Sequence, residues 1–327
     1  MTRDDAQQLL ERACGGEAGD RRSLARLLSL AERGGAAGRQ LGRLTYPKAG
    51  QAYSIGLTGS PGAGKSTLTA GLITEALRLS AGPVAVLAVD PSSPLSGGAI
   101  LGDRVRMQDH ALDRGVFIRS MATRGHLGGL AAAVPEAMRV LDATGWPLVL
   151  VETVGVGQVE VEVAASCDTV VVVLNPGWGD AVQANKAGLL EIADILVINK
   201  ADRPGVRETK RDLVHMLQLS GHLAWTPPIV ETVASSSDGL HELWSTIGSH
   251  RQHLESTGGL AERRSKRRAE ETQRLAVAQF AREVAAELRP GSSFAESPSS
   301  PSANPAVAAD LLVAQIAARL ARGAGDA

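Results

Sequence analysis

Residues 59–66 read Gly-Ser-Pro-Gly-Ala-Gly-Lys-Ser, and no other stretch limits the possible folds of this chain as tightly. An apolar run, 53–57, leads into them, and 67–78 has the spacing of a helix. A strand that passes through three glycines directly into a helix forms a small concave loop. Glycine accepts backbone angles that side chains resist, so successive N–H groups turn inward at the positive end of the helix dipole. Phosphate oxygens fit such a nest. Lys65 reaches the β- and γ-phosphates, and the Ser66 hydroxyl is placed to ligate Mg²⁺. Gly59, Ser60, Pro61, Gly62, Ala63, Gly64, Lys65, Ser66 and Thr67 are the candidate phosphate contacts.

A loop of this kind belongs to an α/β sheet, and the rest of the chain fits one. From 53 to about 233, short Val, Ile and Leu runs alternate with helical segments. That is the pattern of a mostly parallel central sheet with helices on both faces. The expected strands are 53–57, 84–89, 115–119, 148–152, 169–174, 194–198 and 228–233. The 327 residues suffice for one large α/β domain with helical additions. With 44% apolar but 3% aromatic residues, Ala, Val, Leu and Gly must build the core. A helical N-terminal extension is expected at 1–48, divided into two short helices over 5–34 by Gly15 and Gly16. The nucleotide domain is placed at 49–255 and a helical C-terminal arm at 256–327. Residues 238–288 read as helical throughout, Pro135 as an interruption of the helix before it, 290–305 as a flexible Ser/Pro linker, and 306–322 as a last amphipathic helix.

A formal net charge of −1 supplies no global field for nucleic acid or an anionic membrane. The basic run Arg263, Arg264, Lys266, Arg267 and Arg268 is interleaved with Glu262, Glu270 and Glu271, which reads as a solvated helix face. Cys14 and Cys167 are distant and the seven histidines scattered, so neither a disulfide framework nor a zinc site is indicated. The N-terminus is acidic where a secretory leader is basic, and no run approaches the roughly 20 apolar residues that cross a bilayer. A soluble, cytoplasmic protein is expected, with no nucleic-acid or membrane partner.

A phosphate loop does not choose the base. Asn199-Lys200-Ala201-Asp202 does, directly after the strand 194–198. A carboxylate there accepts hydrogen bonds from guanine N1–H and the exocyclic amine together, whereas adenine offers neither. Asn199 holds the loop and the base edge, the stem of Lys200 covers the ring, and Ser235 brings a backbone N–H towards guanine O6. Strand 148–152 ends in Glu152, a carboxylate suited to hold Mg²⁺ through water, or alternatively to cap the next helix. Asp90 ends another strand and either completes the Mg²⁺ shell or forms the turn before Pro91. Asp103 follows a Gly/Ser/Pro loop at 91–102 whose glycines suit ordering around a γ-phosphate. Mg²⁺ and GTP or GDP are the expected ligands.

These residues resemble the MeaB/ArgK-type GTPases, the group that includes the methylmalonic aciduria type A protein. The likeness runs through 59–67, Val89-Asp-Pro-Ser-Ser-Pro94, Gly97-Gly-Ala-Ile-Leu-Gly-Asp-Arg104, Ser120-Met-Ala-Thr-Arg-Gly-His-Leu-Gly-Gly129, Glu152-Thr-Val-Gly-Val-Gly-Gln158, Pro176-Gly-Trp-Gly-Asp180 with Gln183 and Lys186, and Asn199-Lys-Ala-Asp202. It covers about 20–255. The resemblance implies a homodimeric GTPase with a C-terminal dimerisation arm. It implies an accessory role: binding adenosylcobalamin-dependent methylmalonyl-CoA mutase or a related acyl-CoA mutase, gating cofactor loading and protecting the enzyme. Ser66, Asp90, Asp103 and Glu152 then form the Mg²⁺ neighbourhood, and 175–186 is a third switch, with Asp180 and Lys186 coupling nucleotide state to the mutase. Lys65, Asp103, Glu152 and Lys186 are the expected catalytic residues, and without an evident glutamine or arginine finger slow intrinsic turnover is expected. The competing readings are a metal-insertion (nickel) GTPase and a transport-protein kinase.

Overall fold

The computed structural model describes residues 3–90, 110, 113–122, 129–153, 162, 164–177, 191–219, 224–292, 294 and 304–323. The chain divides into two compact units, Met1–Arg263 and Arg264–Ala327. The described helices are α1 (Arg3–Ala13), α2 (Arg21–Arg33), α3 (Gly35–Thr45), α4 (Lys65–Arg78), α5 (Gly129–Ala143), α6 (Val206–Leu219), α7 (Leu240–Thr257), α8 (Gly259–Glu287) and α9 (Pro305–Gly323).

The first unit is built on seven strands, β1 (Tyr53–Gly59), β2 (Val84–Asp90), β3 (Val116–Ala122), β4 (Leu148–Thr153), β5 (Thr169–Leu174), β6 (Ile195–Asn199) and β7 (Ile229–Thr232). They lie side by side in the order β3-β2-β4-β1-β5-β6-β7. All the described pairings are parallel. Each strand expected from the sequence forms, with ends shifted by at most three residues. Strands β1, β4, β5 and β6 are buried along their whole length, because helices cover both faces. Burial on both sides is what makes their sequences continuous apolar runs rather than alternating ones.

One face receives α4 and α7 against Ile55, Leu57, Val86, Leu150, Val171 and Val197. The other receives α1, α2, α3 and α5 over β2 and β4, and α6 over β5 and β6. The N-terminal helices therefore share the main core. Leu10, Leu24, Leu27 and Leu28 are buried in the same cluster as Trp146 and Phe117. Each such leucine contributes about 2 kcal/mol of burial.

Three sequence expectations are corrected. Pro135 lies inside α5 and does not interrupt it. The ring removes one amide donor, but Val134, Ala137, Val140 and Leu141 on either side are buried and hold the helix on the sheet. Residues 238–288 are two helices, because Gly258 ends α7 in a left-handed conformation with φ 74°. Arg263 is not part of a solvated face: its guanidinium grips Asp194 with contacts of 2.8 and 2.7 Å.

In the second unit, Phe294, Ala308, Leu312 and Ile316 form a small core with Phe280 and Val284 against it. Arg319 pairs with Glu287 at 2.5 Å and with Glu283. Most of the Ser/Pro stretch 290–305 lies outside the described residues. Among the described residues, no helix is long and apolar enough to cross a membrane.

Candidate functional site

The carboxyl ends of β1, β4 and β6 meet where the loop 59–64 turns into α4. Gly59 has φ 139°, and a Cβ there would come within 2.0 Å of the Val173 carbonyl oxygen. Only glycine lets the end of β1 press this closely on β5. Gly64 has φ 91°, and its missing side chain is replaced by the Asn199 amide, whose nitrogen would stand 2.4 Å from a Cβ. The glycines thus serve two ends, a left-handed backbone and close approach of a neighbouring loop.

Lys65 is 6% exposed. Its ammonium donates to the carbonyl oxygens of Gly59 at 2.7 Å and Ser60 at 3.0 Å, and so lies across the loop mouth. Anionic oxygens offer this group a better acceptor than either carbonyl. Ser60 Oγ is buried without a hydrogen-bond partner among the described residues. Ser66 Oγ donates to Glu152 Oε1 at 2.5 Å, and both residues are buried. Pairing of β1 with β4, Leu57 beside Glu152, is what brings the carboxylate to the helix start. A hydroxyl and a carboxylate side by side are hard oxygen donors of the kind Mg²⁺ selects.

Asp90 is the last residue of β2, one place beyond Val89, which pairs with Thr153 of β4. Its backbone therefore reaches the same rim. Asp103 and Lys186 lie outside the described residues, as do Asp180, Gln158, most of 175–186, and the loop 91–102.

The base motif is tied to the phosphate loop. Asn199 Nδ2 donates to the Ala63 carbonyl at 2.7 Å, while its Oδ1 accepts from Thr232 Oγ1 and from the Ala234 N–H, both at 3.1 Å. Lys200 takes φ 60°, rare for a side chain, and its ammonium reaches the Gly62 carbonyl at 2.5 Å. Its stem thus runs alongside the loop. Asp202 and Ser235 are exposed, as are Pro61 and Gly62, and Thr67 is half-buried.

Sequence reasoning missed Thr232. Its hydroxyl and the Ala234 amide orient the Asn199 side chain, so that loop 233–239 is tied to the base motif. A threonine in a short apolar strand carries no signal beyond its strand propensity. Only the pairing of β6 with β7, Asn199 beside Thr232, gives it this role.

Residues 24–289 match the family model described as "Methylmalonyl Co-A mutase-associated GTPase MeaB". The chain belongs to the MeaB family of GTPases. A relative from Pyrococcus abyssi named "Putative GTPase PYRAB02490" is 52% identical over 288 residues, which span 87% of this chain and 88% of the relative. The GTPase ArgK of Escherichia coli is 39% identical over 267 residues, 77% of this chain and 78% of ArgK. Among solved structures, a LAO/AO transport system kinase superposes with a TM-score of 0.64 at 25% identity, covering 96% of this chain and 97% of that one. Membership of this GTPase family implies guanine-nucleotide binding.

Proposed function

We propose that this protein is a Mg²⁺-dependent GTP hydrolase that serves as accessory protein to an adenosylcobalamin-dependent acyl-CoA mutase, gating cofactor loading and protecting the loaded enzyme. The observation that carries the nucleotide half of this reading is Asn199, whose one side chain ties the phosphate loop to the Asn-Lys-Ala-Asp turn. The family description supports methylmalonyl-CoA mutase or a near relative as the client.

In this reading the loop 59–67 takes the phosphates, and Lys65 moves from the Gly59 and Ser60 carbonyls to the β- and γ-phosphate oxygens. Asp202 accepts from guanine N1–H and the amine, Lys200 lies along the base, and the Ser235 amide faces O6. Ser66 and Glu152, with Asp90 and Asp103 from the neighbouring segments, hold Mg²⁺. When bound, the ion neutralises phosphate charge and fixes the oxygens for in-line attack by water. Lys65 and Lys186 add positive charge where it develops in the transition state. Intrinsic turnover is slow, and the client raises it by completing the site.

The chain acts as a homodimer through its second unit. Among the described residues that unit buries a small core, while Leu275, Val277, Val307, Leu311 and Val313 are exposed. Apolar surface of this kind is stabilised by contact with a second copy.

The test is GTP turnover with and without purified methylmalonyl-CoA mutase, followed by size exclusion of the mixture. Stimulation of about tenfold or more and co-elution are expected, with the free protein eluting at twice its 34.0 kDa chain mass. Failure of each cobalamin-dependent mutase of the source cell to bind or stimulate it overturns the accessory role. Retention of ATP in preference to GTP overturns the nucleotide reading.

A further inference from the structure

At the opposite, amino ends of β1, β5 and β6, a set of buried polar side chains takes no part in the site above. Tyr53 OH lies 2.6 Å from Thr169 Oγ1, which lies 2.9 Å from His250 Nδ1. His250 is fully buried, and its Nε2 stands 3.3 Å from Asp194 Oδ1. Asp194 also accepts from the Val170 N–H at 2.9 Å and from both terminal nitrogens of Arg263. Trp225 closes the cluster. Its indole N–H donates to the Asp194 carbonyl at 2.8 Å, and its ring packs on His250 at 4.9 Å. Arg263 further donates to the Asp168 carbonyl at 3.2 Å. A buried carboxylate is tolerated only when its oxygens are this fully engaged. Burial alone would raise the Asp194 carboxyl, but the close contact with His250 and the hydrogen bonds from Arg263 outweigh it and hold the group below the ordinary carboxylate value.

The members of this cluster stand at the roots of elements whose far ends form the nucleotide rim. Asp194 precedes β6, which ends at Asn199. Tyr53 opens β1, which ends at Gly59. His250 belongs to α7, whose first turn follows the loop carrying Ala234 and Ser235. Arg263 belongs to α8, the helix that continues into the second unit, and is the last residue of the first. A buried strand of five residues is a stiff rod about 17 Å long, so a shift at its root is felt at its tip.

We propose that Asp194 is a joint coupling the start of α8 to the guanine rim, so that release of Arg263 from it speeds loss of bound GDP. With Arg263 seated, β6 and α7 are held in register and the Asn199, Thr232 and Ala234 contacts stay closed. With Arg263 withdrawn, the roots loosen and those contacts open. By reciprocity, bound nucleotide holds Arg263 seated on Asp194. The inference rests on the guanine-nucleotide reading above.

Release of a fluorescent N-methylanthraniloyl GDP from the full-length protein, chased with unlabelled GDP, tests it. Arg263→Met is expected to speed release about fivefold or more. Arg263→Lys, which keeps the charge but not the two-pronged contact, is expected to fall between it and the wild type. The double variant Asp194→Asn with Arg263→Met is expected to release no faster than the faster single variant, because both break one joint. Lys210→Met, which breaks an exposed ion pair with Glu231, serves as the control and should leave release unchanged. If Asp194→Asn does not fold, Arg263→Met carries the test, since the Arg263 side chain is 38% exposed. Release from Arg263→Met that equals that of Lys210→Met, with normal binding by the wild type, overturns the coupling alone. A wild type that holds no guanine nucleotide overturns the guanine reading and the joint with it.

Discussion

At the carboxyl ends of the strands, polar groups rest in contacts that a ligand can replace. The Lys65 and Lys200 ammoniums lie on the carbonyls of Gly59, Ser60 and Gly62, and Asp202 faces solvent. At the amino ends of the same strands, Asp194, His250, Thr169 and Tyr53 are locked to one another and to Arg263. Backbone strain is also divided unequally. The rim carries left-handed residues at 59, 62, 64 and 200, whereas the base carries none among the described residues at 53, 168–170 and 194. One sheet thus carries cations seated on backbone carbonyls at its rim and charges paired with one another at its base.

Five substitutions break or sharpen this contrast. The largest effect is expected from Lys65→Ala, which removes the rim's buried cation. GTP hydrolysis should fall about 10³-fold in a phosphate-release assay while the thermal midpoint changes little. A matching loss of stability would mean that Lys65 is a structural group like those at the base. Next is Gly59→Ala. Its Cβ would meet the Val173 carbonyl at 2.0 Å in a left-handed backbone, so urea unfolding should show a loss of about 3 kcal/mol or more. Gly62→Ala, with positive φ but open space around it, should cost only about 1 kcal/mol.

Asp202→Asn tests the exposed part of the rim. GTP affinity should fall about 100-fold and xanthosine triphosphate should gain, read by competition against a fluorescent nucleotide, with stability unaltered. The smallest effect at neutral pH is expected from Tyr53→Phe at the base. The Asp194 carboxyl is held below 3.8, so its contribution is present above that pH and is lost as pH falls through the lower folded value. Tyr53 behaves in the opposite sense. Burial pushes its hydroxyl from 10.0 up to about 12, so the stability tied to its neutral form is complete below 10 and is lost as pH rises towards 12. Tyr53→Phe should cost about 1 kcal/mol at pH 7 and flatten the alkaline limb of a urea-midpoint against pH curve. An unchanged alkaline limb would show that the base is not sealed.

Much of the rim was legible because its chemistry depends on residue types in a fixed local order. Glycines at 59, 62 and 64 with Lys65 and Ser66 leave few backbones possible, and the strand before and helix after them confirm the frame. The seven strands were legible for a similar reason, since burial on both faces writes itself as unbroken Val, Ile and Leu runs. Thr232 and the base cluster were not. Arg263 lies 69 residues from Asp194 along the chain, in a run of like charges with acidic neighbours that also describes any solvated helix face. His250 falls on the apolar stripe of α7 with Leu243, Ile247 and Leu254, but nothing in its local sequence names Thr169 and Asp194 as its neighbours.

By itself the sequence determined the parallel α/β sheet, the glycine-rich turn between β1 and α4 and the Asn-Lys-Ala-Asp turn after β6, because each is a short-range pattern whose backbone geometry follows from neighbouring residues. The tertiary structure alone decided that Asn199 is oriented by Thr232, that Ser66 and Glu152 share a hydrogen bond, and that Arg263 joins α8 to Asp194. Those contacts join residues tens of positions apart. Their partners are set by strand order and by which charges the core encloses, and a buried charge accepts whatever donor the fold delivers to it.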